Sequence, residues 1–331
     1  MHNALVAVAL VIHAAAASAL FAASADPAGE LIERVAGAYT DSEHTLRLAA
    51  MPCAGHDLCL YVELTRRGEE RHPARQMVWT LDHLTSTGAD AAVFLFPPRH
   101  PDTFMTNLAD AAVGLWAAPG RFPVIDLDSL LPAGRSSLQL EDDGWSLRAP
   151  DPLTVHRRGA RALTLTLTGS DDAIDWSDAW LTEDGARVDT LVATLRRTDE
   201  PATVEIADDG LVIIDLRAGH GPPLEAGDAA LINFDVLRFN GQIVDSTWLD
   251  SRHEEMMFSA PGNKFLGFQR GVLGMRAPFK APPESGRHLR RLIVPPTLAF
   301  GSKGRKPIID PDEPLIVDIE LLTTKKNTKQ R

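Results

Sequence analysis

No lysine stands before Lys264 in this 331-residue chain, and only two cysteines and two tyrosines occur anywhere. The 33 Lys and Arg against 45 Asp and Glu leave a net charge of -12. That balance argues against a dedicated nucleic-acid binder, which needs a basic face to displace counterions from phosphates. Beyond residue 25 no apolar run is long enough to span a bilayer. The two cysteines, Cys53 and Cys59, have no second Cys or His pair at finger spacing, so a zinc finger is a poor reading. The sequence has no Gly-x-Ser-x-Gly elbow, phosphate-binding Gly-rich loop or His-Glu-x-x-His pair, so the usual signatures of hydrolases, nucleotide enzymes and zinc peptidases are missing. No metal and no cofactor is expected.

What is present begins with residues 4–25, almost continuously apolar and ending in Ala23-Ser24-Ala25 before Asp26. This is the form of a signal peptide over residues 1–25, which implies export to a periplasmic or extracellular compartment. An uncleaved membrane anchor through residues 4–25 is the alternative, because the stretch before the apolar run holds no Lys or Arg and His13 interrupts it. In an oxidising compartment Cys53 and Cys59 are candidates for a small loop disulfide; two free buried thiols, or a metal pair with His56 and Asp57, are the other readings.

Length favours two domains, and charge divides the chain the same way. Residues 1–210 hold 16 basic and 31 acidic side chains, residues 211–331 hold 17 and 14. The expected layout is an acidic β-rich domain over 26–200, a linker over 201–209, a second domain over 210–325 and a basic, solvated tail over 326–331. The two domains are expected to fold independently.

In the first domain, Gly29 to Tyr39 has helical periodicity with Gly37 as its stop. Short runs follow at Leu60–Leu64, Gln76–Leu81, Ala91–Phe96, Ser136–Leu140 and Ala162–Thr168, rich in β-formers and parted by Gly, Pro and Asp. Leu163 to Thr168 alternates Leu and Thr strictly, so one face meets a core and the other water. An antiparallel meander or barrel follows. In Ala36-Gly37-Ala38-Tyr39-Thr40-Asp41-Ser42-Glu43, Leu60-Tyr61-Val62-Glu63-Leu64, Arg75-Gln76-Met77-Val78-Trp79 and Gly185, this part resembles the CpeT/CpcT family of lipocalin-like barrels. The resemblance implies a barrel. Its members attach bilins to light-harvesting proteins, but no bilin site is identifiable here. Trp79, Trp116, Trp145, Trp176 and Trp180 are core residues on the simpler reading and walls of a ligand cavity on the other.

The second domain reads as α+β. Leu211 to Leu216 and Ala229 to Phe239 are strands, Asn240-Gly241 marks a tight hairpin turn, and Gln242 to Ser246 is the return strand. Phe265, Phe268, Val272 and Met275 define one apolar face of a short helix, and Leu315 to Leu322 is a last strand. Five segments in order, Gly227-Asp228, Asn240 to Ser246, Gly267 to Met275, Leu292 to Gly301 and Leu315 to Leu322, resemble the FKBP-type (immunophilin) peptidyl-prolyl cis-trans isomerases. The resemblance implies an antiparallel half-barrel sheet with one helix, rotamase activity on proline-containing protein or peptide clients, and a role in protein folding.

Position by position, the resemblance places Phe268 on the floor of a proline pocket, with Asp245 and Phe300 as the other residues acting on the reacting bond. Phe234, Val244, Met256, Phe258, Lys264, Phe265, Ile309 and Val317 would stand around them. Several positions depart from the family pattern. Phe268 replaces Trp, Phe300 and Phe234 replace Tyr, Val244 replaces an aromatic residue, and Lys264 replaces an apolar one. Residues 276–285 are an insertion. A catalytically weak proline-segment binding module, or a small-molecule carrier acting through the barrel, are the alternative functions.

Overall fold

The computed structural model describes residues 27–100, 105–121, 125–157, 159–198, 203–249, 254–257, 265–277 and 286–326. The expected signal peptide lies outside them. No helix among the described residues is long and apolar enough to cross a membrane.

Helix α1 (Pro27–Val35) precedes eleven antiparallel strands: β1 (Gly37–Thr40), β2 (His44–Met51), β3 (Leu58–Arg66), β4 (Arg75–Thr85), β5 (Gly88–Leu95), β6 (Leu131–Glu141), β7 (Gly144–Arg148), β8 (Leu153–Arg157), β9 (Ala160–Gly169), β10 (Ala173–Leu181) and β11 (Arg187–Arg197). Each pairs with its sequence neighbour from β1 to β7. β7 then pairs with β9, β9 with β10, β10 with β11, and β11 returns to β1. Ten strands thus close a barrel, two more than in a lipocalin, and β8 extends one edge beside β9. Alternation fills its interior: Leu163, Leu165 and Leu167 enter the same core as Trp79, Trp145 and Trp176, while Thr164 and Thr166 face water. All three indoles are therefore packed, as the simpler reading holds.

The first helix ends earlier than its periodicity suggests. It stops at Val35, Gly37 opens β1, and Tyr39 is a strand residue. Arg197 accounts for the break: its guanidinium donates to the carbonyls of Arg34 (2.9 Å) and Ala36 (3.2 Å) and to Tyr39 Oη (2.6 Å), meeting carbonyls that a longer helix would have used internally. Cys53, in the turn after β2, is joined by a disulfide to Cys59 at the start of β3.

The carboxy-terminal sheet has seven antiparallel strands: β12 (Val204–Ile206), β13 (Val212–Arg217), β14 (Ala229–Leu237), β15 (Ile243–Ser246), β16 (Glu254–Met257), β17 (His288–Val294) and β18 (Leu315–Lys325), in the order β12-β13-β17-β18-β14-β15 with β16 also on β14. Residues 201–209 are thus not only a linker, because β12 belongs to this sheet. Helix α3 (Leu266–Val272) packs across β17 through Gly267 and Gly271. A β-carbon at Gly267 would lie 2.4 Å from Val294 Cγ1 and one at Gly271 2.2 Å from Leu292 Cδ1, so a larger residue at either would force the helix or these side chains to move. The tail is not wholly solvated: Lys326 Nζ bonds Asp228 Oδ2 (2.8 Å) and the Pro223 carbonyl (3.0 Å).

Each sheet has its own core, but a third core joins them. On β3, Leu60 and Val62 point into the barrel, whereas Cys59 and Tyr61 point outward. There they meet Val212, Ile214, Leu237, Ile243, Ile293 and Ile316 from the outer face of the second sheet, with helix α2 (Leu108–Ala112) and the chain after it between. Arg291 from β17 is enclosed at this seam. It grips Asp318 with two 2.7 Å bonds and donates to the carbonyls of Asp110 (2.8 Å) and Val113 (2.6 Å). From the barrel side, Glu63 accepts from Trp116 Nε1 (2.8 Å) and the Gly114 amide (3.0 Å). The two sheets, expected to belong to independently folding domains, thus share a buried cluster.

Candidate functional site

The inner face of the second sheet is built by alternation on β14 and β18, which sends Phe234, Val236, Val317 and Ile319 into one core. Helix α3 lies over that face and brings Phe268 down onto it. Phe234 meets Phe268 edge-on, 5.4 Å between ring centres at 68°. Phe265, at the head of the helix, stacks on Phe268 at 5.7 Å and 28°, and Phe300 leans on Phe265 at 5.3 Å. Phe268 is 5% exposed, Ile309 and Val317 are buried, and Phe265, Phe300 and Val244 are half-buried at the margin. The result is an aromatic patch whose floor is shut off from water and whose rim is open to it.

Asp245 pairs with Val236 across β14 and β15. Paired residues share a face of the sheet, so this exposed carboxylate stands on the flank of the aromatic patch. Phe234, Phe268, Ile309 and Val317 belong to one core, and Val244, Phe265 and Phe300 pack against it. Val317 lies within the core and underlies the patch. β16 places the Met256 backbone opposite Ala230; Phe258 and Lys264 lie outside the described residues.

Two devices hold the patch. The loop after Phe300 is braced by the Arg305–Ile309 backbone pair at 2.8 and 2.9 Å and by Arg238, which bonds the Ile308 carbonyl and faces Asp310 and Glu313. Helix α3 is anchored at its end by Arg290, whose Nη1 donates to the carbonyls of Gly271 (2.7 Å) and Leu273 (3.0 Å). Its Nε reaches Asp215 (2.6 Å), which also bonds His288 Nε2 (2.8 Å). Burial would raise the Asp215 carboxyl, but these partners outweigh it and hold it below the ordinary aspartate range. Sequence reasoning missed Asp215, His288 and Arg290; two adjacent arginines inside the apolar run from Leu289 to Val294 were the available signal.

A further support comes from the barrel. Arg71, in the turn between β3 and β4, bonds Asp235 and lies 3.6 Å over the Trp248 ring. Asp235 in turn receives the Ser246 hydroxyl. The strand bearing Asp245 is therefore held from behind, beside a seam cavity of about 270 Å³.

Residues 221–322 match the model of the family described as FKBP-type peptidyl-prolyl cis-trans isomerase. An FK506-binding protein of Neisseria meningitidis is 30% identical over 112 residues, 34% of this chain and 94% of that protein. The 46 kDa FK506-binding nuclear protein of Spodoptera frugiperda is 28% identical over 118 residues, 35% of this chain and 26% of that protein. A crystal structure of a peptidyl-prolyl cis-trans isomerase from Pseudomonas syringae aligns over 39% of this chain and 84% of its own at 22% identity, with a TM-score of 0.31. The chain thus spans about a quarter of the insect relative, yet nearly all of the bacterial one. Through its carboxy-terminal third, this chain belongs to the FKBP-type peptidyl-prolyl cis-trans isomerase family.

Proposed function

We propose that the aromatic patch isomerises X-Pro bonds in exported client proteins, with the barrel as the fixed partner of the isomerase domain. The convergence of Phe234, Phe265, Phe268 and Phe300 on one half-open apolar surface carries the reading. An X-Pro bond turns over a barrier of roughly 18–20 kcal/mol because amide resonance is lost in the twisted state. That state has a less polarised carbonyl, so an apolar floor that removes water favours it over the planar ground state. No bond is made or broken and no proton leaves, so aromatic walls supply the essential environment.

Asp245 stands where it can take a hydrogen bond from the bound segment. Phe300 brings an apolar edge where a hydroxyl would otherwise donate to the substrate carbonyl, which lowers the rate without removing the pocket. The disulfide between Cys53 and Cys59 suits an oxidising compartment and supports export.

The test is an NMR exchange assay of X-Pro isomerisation by the full chain. Phe268→Ala should abolish most of the acceleration and Asp245→Ala should lower it. Phe300→Tyr should raise it roughly two- to tenfold, since a net hydrogen bond is worth about 0.5–1.5 kcal/mol and about 1.36 kcal/mol is tenfold in rate. Binding of a proline peptide with background isomerisation in both wild type and Phe300→Tyr would leave a binding module in place of an enzyme.

A further inference from the structure

The two ends of the barrel differ. Helix α1 stoppers one: Leu31 and Val35 enter the core, and Arg34 donates to the carbonyls of Glu141 (2.6 Å) and Gly144 (2.9 Å) in the turn between β6 and β7. At the opposite end the interior opens into a cavity of about 320 Å³. Met77, Leu95, Phe96, Leu131, Val155 and Trp180 supply its apolar walls. Barrel mouths are a recurrent place for ligand pockets, and this volume is near the lower end of their range of roughly 300–1,000 Å³.

The polar lining has one sign. Arg75 and Arg99 border the cavity and no Asp or Glu among the described residues does, although residues 1–210 hold nearly twice as many acidic as basic side chains. Arg75 is committed: its Nε and Nη2 grip the enclosed Asp178 at 2.6 and 2.7 Å, and Nη1 reaches Asp189 at 3.1 Å. Its charge is met by these two carboxylates, and it forms a fixed wall of the cavity 5.3 Å from the Trp180 ring. Arg99 uses only its Nε, on Asp110, among the described residues. Its two terminal nitrogens remain to grip an acid group, and a guanidinium fork suits a carboxylate.

We propose that this mouth binds a small amphiphilic carboxylate, with its acid group on Arg99 and its apolar body between Trp180 and the aliphatic walls. The inference does not rest on the isomerase reading, although Arg99 also lines the seam cavity behind β15.

Calorimetric titration of the full chain with octanoate, octanol and octylamine tests it. The expected result is one saturable octanoate site, with octanol about tenfold weaker and octylamine without measurable binding. Arg99→Gln should reduce octanoate to the octanol level, because a charge-assisted bond is replaced by a neutral one. Val155→Trp fills the cavity and should abolish binding of both. Pro98→Trp, on the exposed rim, blocks the same entrance and carries this arm if Val155→Trp fails to fold. Three outcomes overturn the proposal: no saturable heat with octanoate, octanoate affinity unchanged in folded Pro98→Trp, or octanol or octylamine binding as tightly as octanoate.

Discussion

Separating the isomerase domain from the barrel should cost it most of its stability. Val212, Ile214, Leu237, Ile243, Ile293 and Ile316 are all buried on the face that meets the barrel. Burying a large aliphatic side chain fully is worth about 1.5–3 kcal/mol. If the barrel supplies roughly half of that burial, these six residues together lose on the order of 5–9 kcal/mol. A whole domain has only about 5–15 kcal/mol to lose. Arg291, Asp235, Asp318 and Glu320 would regain water at the same time, which offsets part of this loss. Residues 203–331 expressed alone should self-associate through the uncovered face and unfold without a sharp transition. Adding residues 27–198 should restore a monodisperse complex. Size-exclusion chromatography and thermal unfolding by circular dichroism read both. A monomeric fragment that unfolds cooperatively within a few degrees of the full chain would refute the reasoning.

Three further outcomes follow from the seam. Arg291→Ala strands the Asp318 carboxylate and the carbonyls of Asp110 and Val113, and loss of one partner of a buried pair costs about 3–5 kcal/mol; calorimetry should show a melting temperature lower by on the order of 10 °C, and a change under 1 °C would show that water replaces the guanidinium. Burial holds the Glu63 carboxyl above its ordinary range despite Tyr61, Trp116, the Gly114 amide and Arg291. The geometry agrees, because Tyr61 Oη has one proton and faces two acceptors, Glu63 Oε2 at 2.5 Å and the Ala112 carbonyl at 2.9 Å. A protonated Glu63 resolves that conflict. The native state then keeps a proton that the unfolded chain releases, so stability falls as pH rises from the ordinary glutamate range through the raised one. Urea midpoints of Glu63→Gln should lack that decline, and parallel wild-type and variant curves would count against it. Arg71→Ala removes the brace behind β15 and should lower kcat/KM for X-Pro substrates two- to threefold with a melting shift of a few degrees; unchanged turnover with lower stability would make Arg71 purely structural.

Much of the candidate site was legible because its residues lie in short ordered segments. Asn240-Gly241 announced a hairpin, and the structure has it, with Gly241 at φ +81°. The same turn has a second role that no local pattern shows: its Asn240 carbonyl accepts from the Asn107 amide at 3.1 Å, and a β-carbon on Gly241 would lie 1.8 Å from the Asn107 carbonyl oxygen. In the barrel, β9 was legible from Leu-Thr alternation. β10 and β11 were not, because Asp178 breaks the apolar face of β10 and Val188 and Val192 stand exposed on β11. Asp178 is tolerated inward only because Arg75 and Trp176 Nε1 meet it there.

By itself the sequence determined the β-rich character of the first part, the apolar face of α3 and the aromatic residues that meet beneath it, since local periodicity decides which side chains share a face. Tertiary structure alone decided that ten strands close, that one end is stoppered and the other open, and that the isomerase sheet is buried on both faces. Strands such as β3 and β13 are apolar on both sides, and a run of that kind shows that two partners exist without saying which. That choice rests on contacts between residues far apart in the chain, such as Arg291 with Asp110 and Val113, which exist only once both sheets have formed.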